Sequence, residues 1–311
     1  MVEVSVIIVT RNTCALTRAA IESVLAAGCR AEIFVMDNGS TDDTPRVLPC
    51  AFPELRYRRC ERNLGFARAV NLAAREARGE FLLLLNSDAR LAPDALRLAL
   101  AWMREHPDCA VAGAHLLHPD GSPQNSIANF PNLATELLNK SLLRRLWPTR
   151  FPGKEQNFHE PIEVDSVVGA FLLVRKSVWE ELGGLDERFF FFFEETDFCL
   201  RARRRGYRVV HLPAVRVWHG QGQTGKAVAA AARIEYWRSR YLYFAKHHPL
   251  VVRLALGVGL AARLGCDWLA AACMTVLTAG RSAHWRERAQ VCTALLLWHL
   301  RGRPASAGLP R

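Results

Sequence analysis

Short apolar runs alternate with helical patterns in the first part of the chain. Apolar runs at 4–9, 31–36, 55–59 and 80–85 predict strands, and 3.6-residue periodicity predicts helices over 15–26, 66–77 and 93–105. This alternation is typical of βαβ units and a largely parallel sheet flanked by helices. We therefore expect an α/β fold.

Each predicted strand ends in a cluster of polar residues. The four clusters are Thr10-Arg11-Asn12, Asp37-Asn38-Gly39-Ser40, Arg62-Asn63 and Asn86-Ser87-Asp88. In open α/β sheets, ligands bind outside the carboxyl ends of the strands. The clusters therefore predict one wall of a binding site.

The remaining chain is less regular. The sequence of 118–161 predicts an irregular segment that shapes a pocket, and regular structure is predicted again at 164–175. A helix is predicted at 198–205, a strand at 208–212, and then a turn-rich stretch containing Trp218-His219-Gly220. Residues 226–247 predict another helix. No apolar run in 249–300 reaches the roughly 18 to 20 residues of a confident membrane span.

Composition indicates a folded protein, because half of the residues are apolar and 23% are charged. The nine cysteines are scattered and lack metal-ligand spacing, which favours a reducing compartment. The first residues enter a strand pattern without the features of an export signal. These observations predict a cytoplasmic location.

Charge is distributed unevenly along the chain. Residues 201–311 hold 19 of the 41 Lys and Arg but 3 of the 30 Asp and Glu, which indicates an anionic partner. The arginines are interleaved with Leu, Ala, Val and Trp, a pattern that favours an anionic membrane interface over nucleic acid. We expect peripheral attachment to the cytoplasmic face of the inner membrane; a packed helical subdomain and a pair of short tilted spans are the alternatives.

Asp88 is a candidate metal ligand. It follows the apolar run at 81–85, so its carboxylate is expected at the rim of the sheet, where hard cations find oxygen ligands. A turn aspartate that caps the following helix is the simpler interpretation. Asp37 has the same ambiguity between a contact to a nucleotide base or ribose and a structural role.

Three carboxylates, Glu194, Glu195 and Asp197, directly follow the aromatic run at 189–193. Like charges beside an apolar wall raise the pKa of at least one carboxyl group, which suits a general base. The same residues also fit an acidic first helical turn. His219 is predicted in a Gly-rich turn, either as a metal or phosphate ligand or as an exposed histidine.

These residues resemble the inverting family 2 glycosyltransferases of GT-A fold, especially the bacterial rhamnosyltransferase-like branch. The matching segments are 5–12, 37–42, 63–71, Asn86-Ser87-Asp88, Gly169-Ala170-Phe171, 194–201 and Trp218-His219. The resemblance implies a GT-A domain at 1–225, with a nucleotide-binding half at about 1–115 and an acceptor half at about 116–225. A basic, apolar helical tail then covers 226–311.

By this resemblance, the nucleotide sugar lies among Thr10, Arg11, Asn12, Asp37, Asn38, Asn63, Gly65, Arg68, Asn71, Asn86 and Ser87. Asp88 and His219 are implied as ligands of Mg²⁺ or Mn²⁺, and Glu194, Glu195 and Asp197 as the catalytic acidic group. The sequence departs from the family pattern at two positions. Asn86 replaces the first acidic residue of the metal motif, and Glu195 stands where an aspartate base is usual.

The resemblance implies transfer of a sugar, with dTDP-rhamnose as the first choice of donor, to a lipid-linked or cell-envelope saccharide with inversion. A polyprenyl-diphosphate-linked acceptor suits the basic, apolar tail. Two alternatives remain: a catalytically weak nucleotide-sugar or carbohydrate-binding protein, and a sugar nucleotidyltransferase. The latter is disfavoured because the first strand is not followed by a Gly-rich phosphate loop with a lysine.

Overall fold

A computed structural model describes residues 2–151, 158–220 and 229–311. The elements in chain order are β1 (Val4–Thr10), α1 (Cys14–Ala26), β2 (Ala31–Asp37), α2 (Thr44–Ala51), β3 (Arg56–Arg59), α3 (Phe66–Ala74), β4 (Phe81–Asn86), β5 (Ala89–Leu91), α4 (Ala95–Glu105), β6 (Cys109–Leu117), β7 (Ile127–Ala128), α5 (Leu133–Leu137), α6 (Lys140–Leu146), β8 (Ile162–Glu163), β9 (Ser166–Val167), β10 (Phe171–Arg175), α7 (Lys176–Leu182), α8 (Glu194–Arg204), β11 (Arg208–His219), α9 (Ala229–His247), α10 (Leu250–Leu277) and α11 (Ala283–Leu300).

Among the described residues, nine strands form one mixed sheet in the order β3-β2-β1-β4-β10-β6-β11-β5, with β8 paired to β11. Strands β3, β2, β1 and β4 are mutually parallel, as are β6 and β11. Strand β10 runs antiparallel to both of its neighbours. The expected mainly parallel sheet flanked by helices is confirmed.

The central strands form because their residues are buried on both faces. Strands β1 and β4 are continuous apolar runs, which suit a sheet covered by helices on each side. One apolar cluster joins the sheet to α1 and α4 through Ile21 and Leu100. The other joins it to α3 and α8 through Val70 and Phe198. The core thus holds the strand ends rigidly at one edge.

The four predicted strands and three predicted helices of the first part are confirmed, with ends shifted by up to three residues. Three other local predictions were wrong. His219 is the last residue of the long strand β11, not part of a Gly-rich turn, because 216–218 pair in register with β6. Helix α8 begins at Glu194 rather than Phe198, and the short strand β5 intervenes before α4.

The C-terminal helices pack on the sheet domain through a third apolar cluster. Phe189 and Phe193, which precede α8, share this cluster with Trp237 and Tyr243 of α9. The domain boundary predicted between 225 and 226 lies outside the described residues, so the division stays a proposal. None of the described helices is long and apolar enough to cross a membrane.

Candidate active site

The carboxyl ends of β1, β2 and β4 lie side by side. Thr10 is in register with Asp37, and Val9 with Asn86. The polar residues that end these three strands therefore lie along one edge of the sheet, as their positions in the sequence predict. The Thr13 hydroxyl donates to Ser87 Oγ at 3.2 Å, joining the turn after β1 to that after β4.

Asp37 is fully buried at this edge. One carboxylate oxygen accepts from the backbone N–H of Ser40 at 2.8 Å, and the other accepts from the Tyr57 hydroxyl at 2.6 Å. Burial and the charge of Asp37 raise the pKa of Tyr57, so the phenol keeps its proton and donates. Asp37 therefore holds the 38–40 turn in shape, in addition to any contact with a nucleotide.

The turn after β1 is tied to the turn after β2. Asn12 has a positive φ of 55° and its side-chain oxygen accepts from the backbone N–H of Thr41 at 2.7 Å. The buried hydroxyl of Thr10 is within hydrogen-bond distance of Thr13 and Thr17. Arg11 Nε is buried and has no hydrogen-bond partner among the described residues. Arg11 therefore offers a donor toward this edge of the sheet.

The loop before α3 forms the next part of the edge. Asn38 donates to the carbonyl of Gly65 at 3.1 Å, and Asn63 donates to the carbonyl of Pro310 at 2.8 Å. Gly65 has φ of 82°, and a Cβ there would lie 2.5 Å from the Phe190 carbonyl. Only glycine fits this conformation and this close approach.

Two predicted nucleotide residues of α3 have other contacts. The Asn71 side chain exchanges hydrogen bonds of 2.8 and 3.0 Å with the backbone of Leu185, which fixes the loop before the aromatic run. Arg68 is exposed, and its Nε lies 3.9 Å from a carboxylate oxygen of Glu187. Arg68 is free to move toward a ligand, whereas Asn71 is held in place.

Asp88 and His219 lie together although 131 positions separate them in the chain. His219 Nε2 lies 3.3 Å from Asp88 Oδ1 and 3.4 Å from the Asn86 amide nitrogen. Pairing of β11 with β5 produces this contact, because His219 is in register with Ala89. The structure therefore brings together the two metal ligands that the resemblance implies.

Gln124 fixes the orientation of the imidazole. Its side-chain oxygen lies 2.7 Å from His219 Nδ1, while its amide nitrogen donates to the His219 carbonyl at 3.2 Å. With the amide so oriented, His219 Nδ1 donates to Gln124, and Nε2 faces Asp88. A histidine whose second nitrogen donates to an oxygen is the usual arrangement of a metal ligand.

This donor set fits a divalent cation bound jointly with a ligand. An imidazole nitrogen and a carboxylate oxygen lie 3.3 Å apart here, and both are groups that ligate divalent cations. Within the described residues, no group of three or more His, Cys, Asp and Glu side chains could hold a metal ion. Asp88 and His219 are therefore the two described residues that would hold a cation here.

Glu195 lies beside the turn that precedes β10. Its carboxyl carbon is 3.6 Å from the Cβ position of Gly169, and Asn86 donates its backbone N–H to the carbonyl of the next residue, Ala170. The turn before β10 therefore connects the carboxylate of α8 to the Asp88 turn. Burial raises the pKa of Glu195, which suits a proton acceptor.

Glu194 is buried beside it. Its Oε2 has no hydrogen-bond partner in the described part of the chain, and it is 5% exposed. Burial, and then the charge of Glu195, raises the pKa of Glu194 well above its usual value. Glu194 therefore holds a proton more readily than an exposed glutamate.

Asp197 has a different environment. It is fully buried, and its carboxylate lies 2.8 Å from Arg201 Nε and 2.7 Å from both Lys246 Nζ and His247 Nε2. Burial opposes ionisation, but the hydrogen bonds from His247 and Lys246 outweigh it and lower the pKa of Asp197. Asp197 thus links α8 to the end of α9.

The turn into α8 is strained. Phe192 and Phe193 have φ of 72° and 71°, a region that bulky side chains rarely adopt. Both rings pack against Tyr236 of α9, with centroids 5.4 and 5.1 Å away. Ser239 donates to the carbonyl of Phe191 at 2.8 Å. Helix α9 therefore holds the conformation that places Glu194 and Glu195 at the start of α8.

Sequence analysis missed Gln124, Tyr57, Lys246 and His247. Gln124 and Tyr57 stand in no motif, and Lys246 and His247 lie in the helix assigned to the tail. A buried carboxylate such as Asp197 needs a cation, which is the one physical signal that points to Lys246.

The family model described as "Glycosyl transferase family 2" matches residues 5–183, more than half of the chain. The chain belongs to glycosyltransferase family 2. The family and the glycosyltransferases among its relatives show that the chain is an enzyme that transfers a sugar from a nucleotide sugar.

Curated relatives of this family 2 chain act in glycan assembly. The N-acetylglucosaminyl-diphospho-decaprenol L-rhamnosyltransferase of Mycobacterium tuberculosis is 28% identical over 232 residues, covering 70% of this chain and 75% of the relative. A rhamnosyltransferase of Escherichia coli K12 is 26% identical over 195 residues, which cover 60% of this chain and 72% of the relative. The chain is thus rhamnosyltransferase-like.

Solved structures share the fold. The mannosyltransferase of Pyrobaculum calidifontis, in complex with GDP-mannose and Mn²⁺, superposes with a TM-score of 0.57 at 18% identity, covering 97% of this chain and 88% of its own. The Staphylococcus aureus TarS fragment 1–349 with UDP-GlcNAc gives 0.52 at 19% identity, covering 78% and 66%. The GT-A fold of the chain is confirmed.

Proposed function

We propose that the chain transfers rhamnose from dTDP-rhamnose to a hydroxyl of a polyprenyl-diphosphate-linked saccharide, with inversion at the anomeric carbon. The choice of sugar is supported by the two rhamnosyltransferases among its relatives. The choice of acceptor is supported by the diphospho-decaprenol that the name of the M. tuberculosis relative specifies.

The donor is bound at the edge formed by β1, β2 and β4. Arg11, with its unpaired buried Nε, and the exposed side chain of Arg68 supply hydrogen-bond donors to the nucleotide. The observation that carries the proposal is the 3.3 Å approach of His219 Nε2 to Asp88, which places an imidazole nitrogen and a carboxylate together at the strand end. A Mg²⁺ or Mn²⁺ ion held there would neutralise charge on the departing diphosphate.

Glu195 accepts the proton of the acceptor hydroxyl. The hydroxyl oxygen then bonds to the anomeric carbon while the carbon–oxygen bond to the diphosphate breaks, and that bonding pair stays on the phosphate oxygen. Since attack and departure are on opposite faces, configuration inverts. Burial raises the pKa of Glu195 and makes it a stronger base than an exposed glutamate. The pKa of Glu194 beside it is raised well above its usual value by burial and by the charge of Glu195.

The test is a panel of nucleotide sugars with a polyprenyl-diphosphate saccharide acceptor, assayed with and without a chelator. We expect release of dTDP from dTDP-rhamnose, loss of turnover with the chelator, and an inverted anomeric configuration by NMR. Turnover with UDP-hexoses alone would overturn the choice of rhamnose. A retained configuration would overturn the role of Glu195, and release of pyrophosphate would instead indicate a nucleotidyltransferase.

A second candidate is a nucleotide-sugar-binding protein with weak turnover. Glu195 favours this candidate, because its side chain is one methylene longer than that of the usual aspartate. The longer side chain shifts the carboxylate, and a misplaced base lowers the turnover rate steeply. The variant Glu195→Asp separates the two. Calorimetric binding of donor, without turnover in either form across an acceptor panel, would favour the second candidate.

We also propose that the enzyme works at the cytoplasmic face of the inner membrane as a peripheral protein. The acceptor lipid of the M. tuberculosis relative and the excess of arginine after residue 200 support this location. The described residues contain no candidate membrane span.

A further inference from the structure

Helix α10 has an exposed face without charged residues. At 3.6 residues per turn, six large apolar side chains fall within an arc of about 100° along its length. Each is between 57% and 78% exposed. The six are Leu250, Val251, Leu254, Val258, Leu269 and Val276. This set is called the α10 face below.

The other side of α10 is covered by protein. Leu256, Leu260 and Leu264 are almost completely buried in the cluster shared with α9 and α11. The charged residues of the helix, Arg253, Arg263 and Asp267, fall outside the arc of the α10 face. Packing inside the chain therefore explains one apolar side of α10 but not the other.

A second exposed apolar strip lies along α6 and its ends. Leu142 and Leu146 lie one turn apart on α6, Leu138 and Trp147 flank that helix, and all four are between 53% and 55% exposed. Helix α5 contacts α10 closely, because a Cβ on Gly259 would lie 2.7 Å from Leu137. Since α6 begins only three residues after α5 ends, its strip is connected to α10 through α5.

The surroundings of both strips are basic. Arg145 and Arg150 are exposed beside the α6 strip, and Arg253 and Arg281 are exposed at the two ends of α10. Residues 249–311 contain eight arginines and two acidic residues. An uncharged apolar surface bordered by arginines is complementary to an anionic bilayer, with apolar groups below the head groups and cations among them.

We propose that the α10 face and the α6 strip form one docking surface for an anionic lipid bilayer, lying in the interface. This inference rests on the proposed function, whose acceptor lipid is held in a membrane. A second copy of the chain is the less suitable occupant, because a two-fold contact would place the bordering arginines of both copies against each other.

The docking surface connects to the catalytic base. Leu143 and Arg144 of α6 line a cavity of about 100 Å³ together with Ile127 of β7. Strand β7 pairs with β9, and Gly169, two residues after β9, faces Glu195. A bilayer under α6 would therefore present a lipid-linked acceptor from the side of the sheet on which Glu195 lies.

The test is sedimentation of the full chain with phosphatidylcholine vesicles, with and without phosphatidylglycerol. The variants are Leu254→Glu with Val258→Glu on α10, and Leu142→Glu with Leu146→Glu on α6. The control is Leu16→Glu with Leu25→Glu, at exposed positions of α1. We expect salt-sensitive binding to the anionic vesicles, weakened about tenfold or more by each test pair and unchanged by the control.

Three readouts make the outcome decisive. Equal binding of test and control variants would overturn the proposal. A mass in solution that falls from dimer to monomer in the α10 variant, without vesicle binding, would assign the surface to a second copy. Transfer to a water-soluble acceptor analogue, measured without vesicles, should be unchanged in the folded variants. If the unaltered chain binds the vesicles but does not transfer sugar to this analogue, the result contradicts the proposed function alone.

Discussion

Replacing Gln124 with leucine tests the proposed metal site without touching either metal ligand. Leucine removes the oxygen that accepts from His219 Nδ1 at 2.7 Å, and it leaves that N–H buried without a partner. An unsatisfied buried donor costs about 1–3 kcal/mol. Loss of such a partner to a ligating histidine weakens metal affinity about 10- to 100-fold. We therefore expect the Mn²⁺ concentration at half-maximal turnover to rise by that factor.

The assay is release of nucleoside diphosphate at saturating donor, titrated with Mn²⁺. Gln124→Glu is the matched control, because a carboxylate still accepts from Nδ1 and keeps Nε2 free for the metal. Its midpoint should lie nearer to that of the unaltered enzyme than the midpoint of Gln124→Leu does. If Gln124→Leu has the same midpoint and the same maximal rate as the unaltered enzyme, His219 is not a ligand oriented by Gln124.

Three further predictions concern buried titratable groups. Glu195→Gln should lower turnover about 10²- to 10⁴-fold with unchanged calorimetric donor affinity, since it removes only the proton acceptor; a small loss of rate would exclude Glu195 as the base. Asp197→Asn should lower the free energy of unfolding by about 1–3 kcal/mol in urea titrations, because Arg201 and His247 lose a fully buried carboxylate partner while Lys246 keeps Asp186 at 2.7 Å. Burial lowers the pKa of His211 from 6.5 to about 4, so its contribution of about 3 kcal/mol is present above pH 6.5 and is lost as pH falls through 4. Urea titrations across that range should show a steeper loss for the unaltered chain than for His211→Leu, and parallel curves would contradict the assignment.

The strand-end edge was predictable because it depends on local pattern. Apolar runs of five or six residues followed by a polar cluster identify both a buried strand and the end at which it meets ligand. Parallel pairing then brings Thr10, Asp37 and Asn86 together without further information. The sequence could also place Asp88 at the rim, since it directly follows β4.

The partners of these residues were not predictable, because they come from distant segments. Gln124 lies in the stretch between 118 and 161, which carries no periodic signal, and it reaches His219 across 95 positions. His219 itself was assigned to a turn because Gly220 follows it, whereas pairing with β5 extends β11 to that residue. Tertiary pairing here overrides the local turn signal.

Helix α9 shows most clearly how the tail and the site depend on each other. The turn at Phe192 and Phe193 is unfavourable by itself, at a cost of about 1–3 kcal/mol for each residue in the left-handed region. Tyr236, Ser239 and Lys246 of α9 supply ring packing, a hydrogen bond and an ion pair to this turn and to Asp197. The carboxylates of α8 are therefore positioned by a helix that charge and composition assign to the tail. Helix α10 follows α9 after two residues. A bilayer that binds α10 would therefore also restrain α9, which packs against the turn at Phe192 and Phe193.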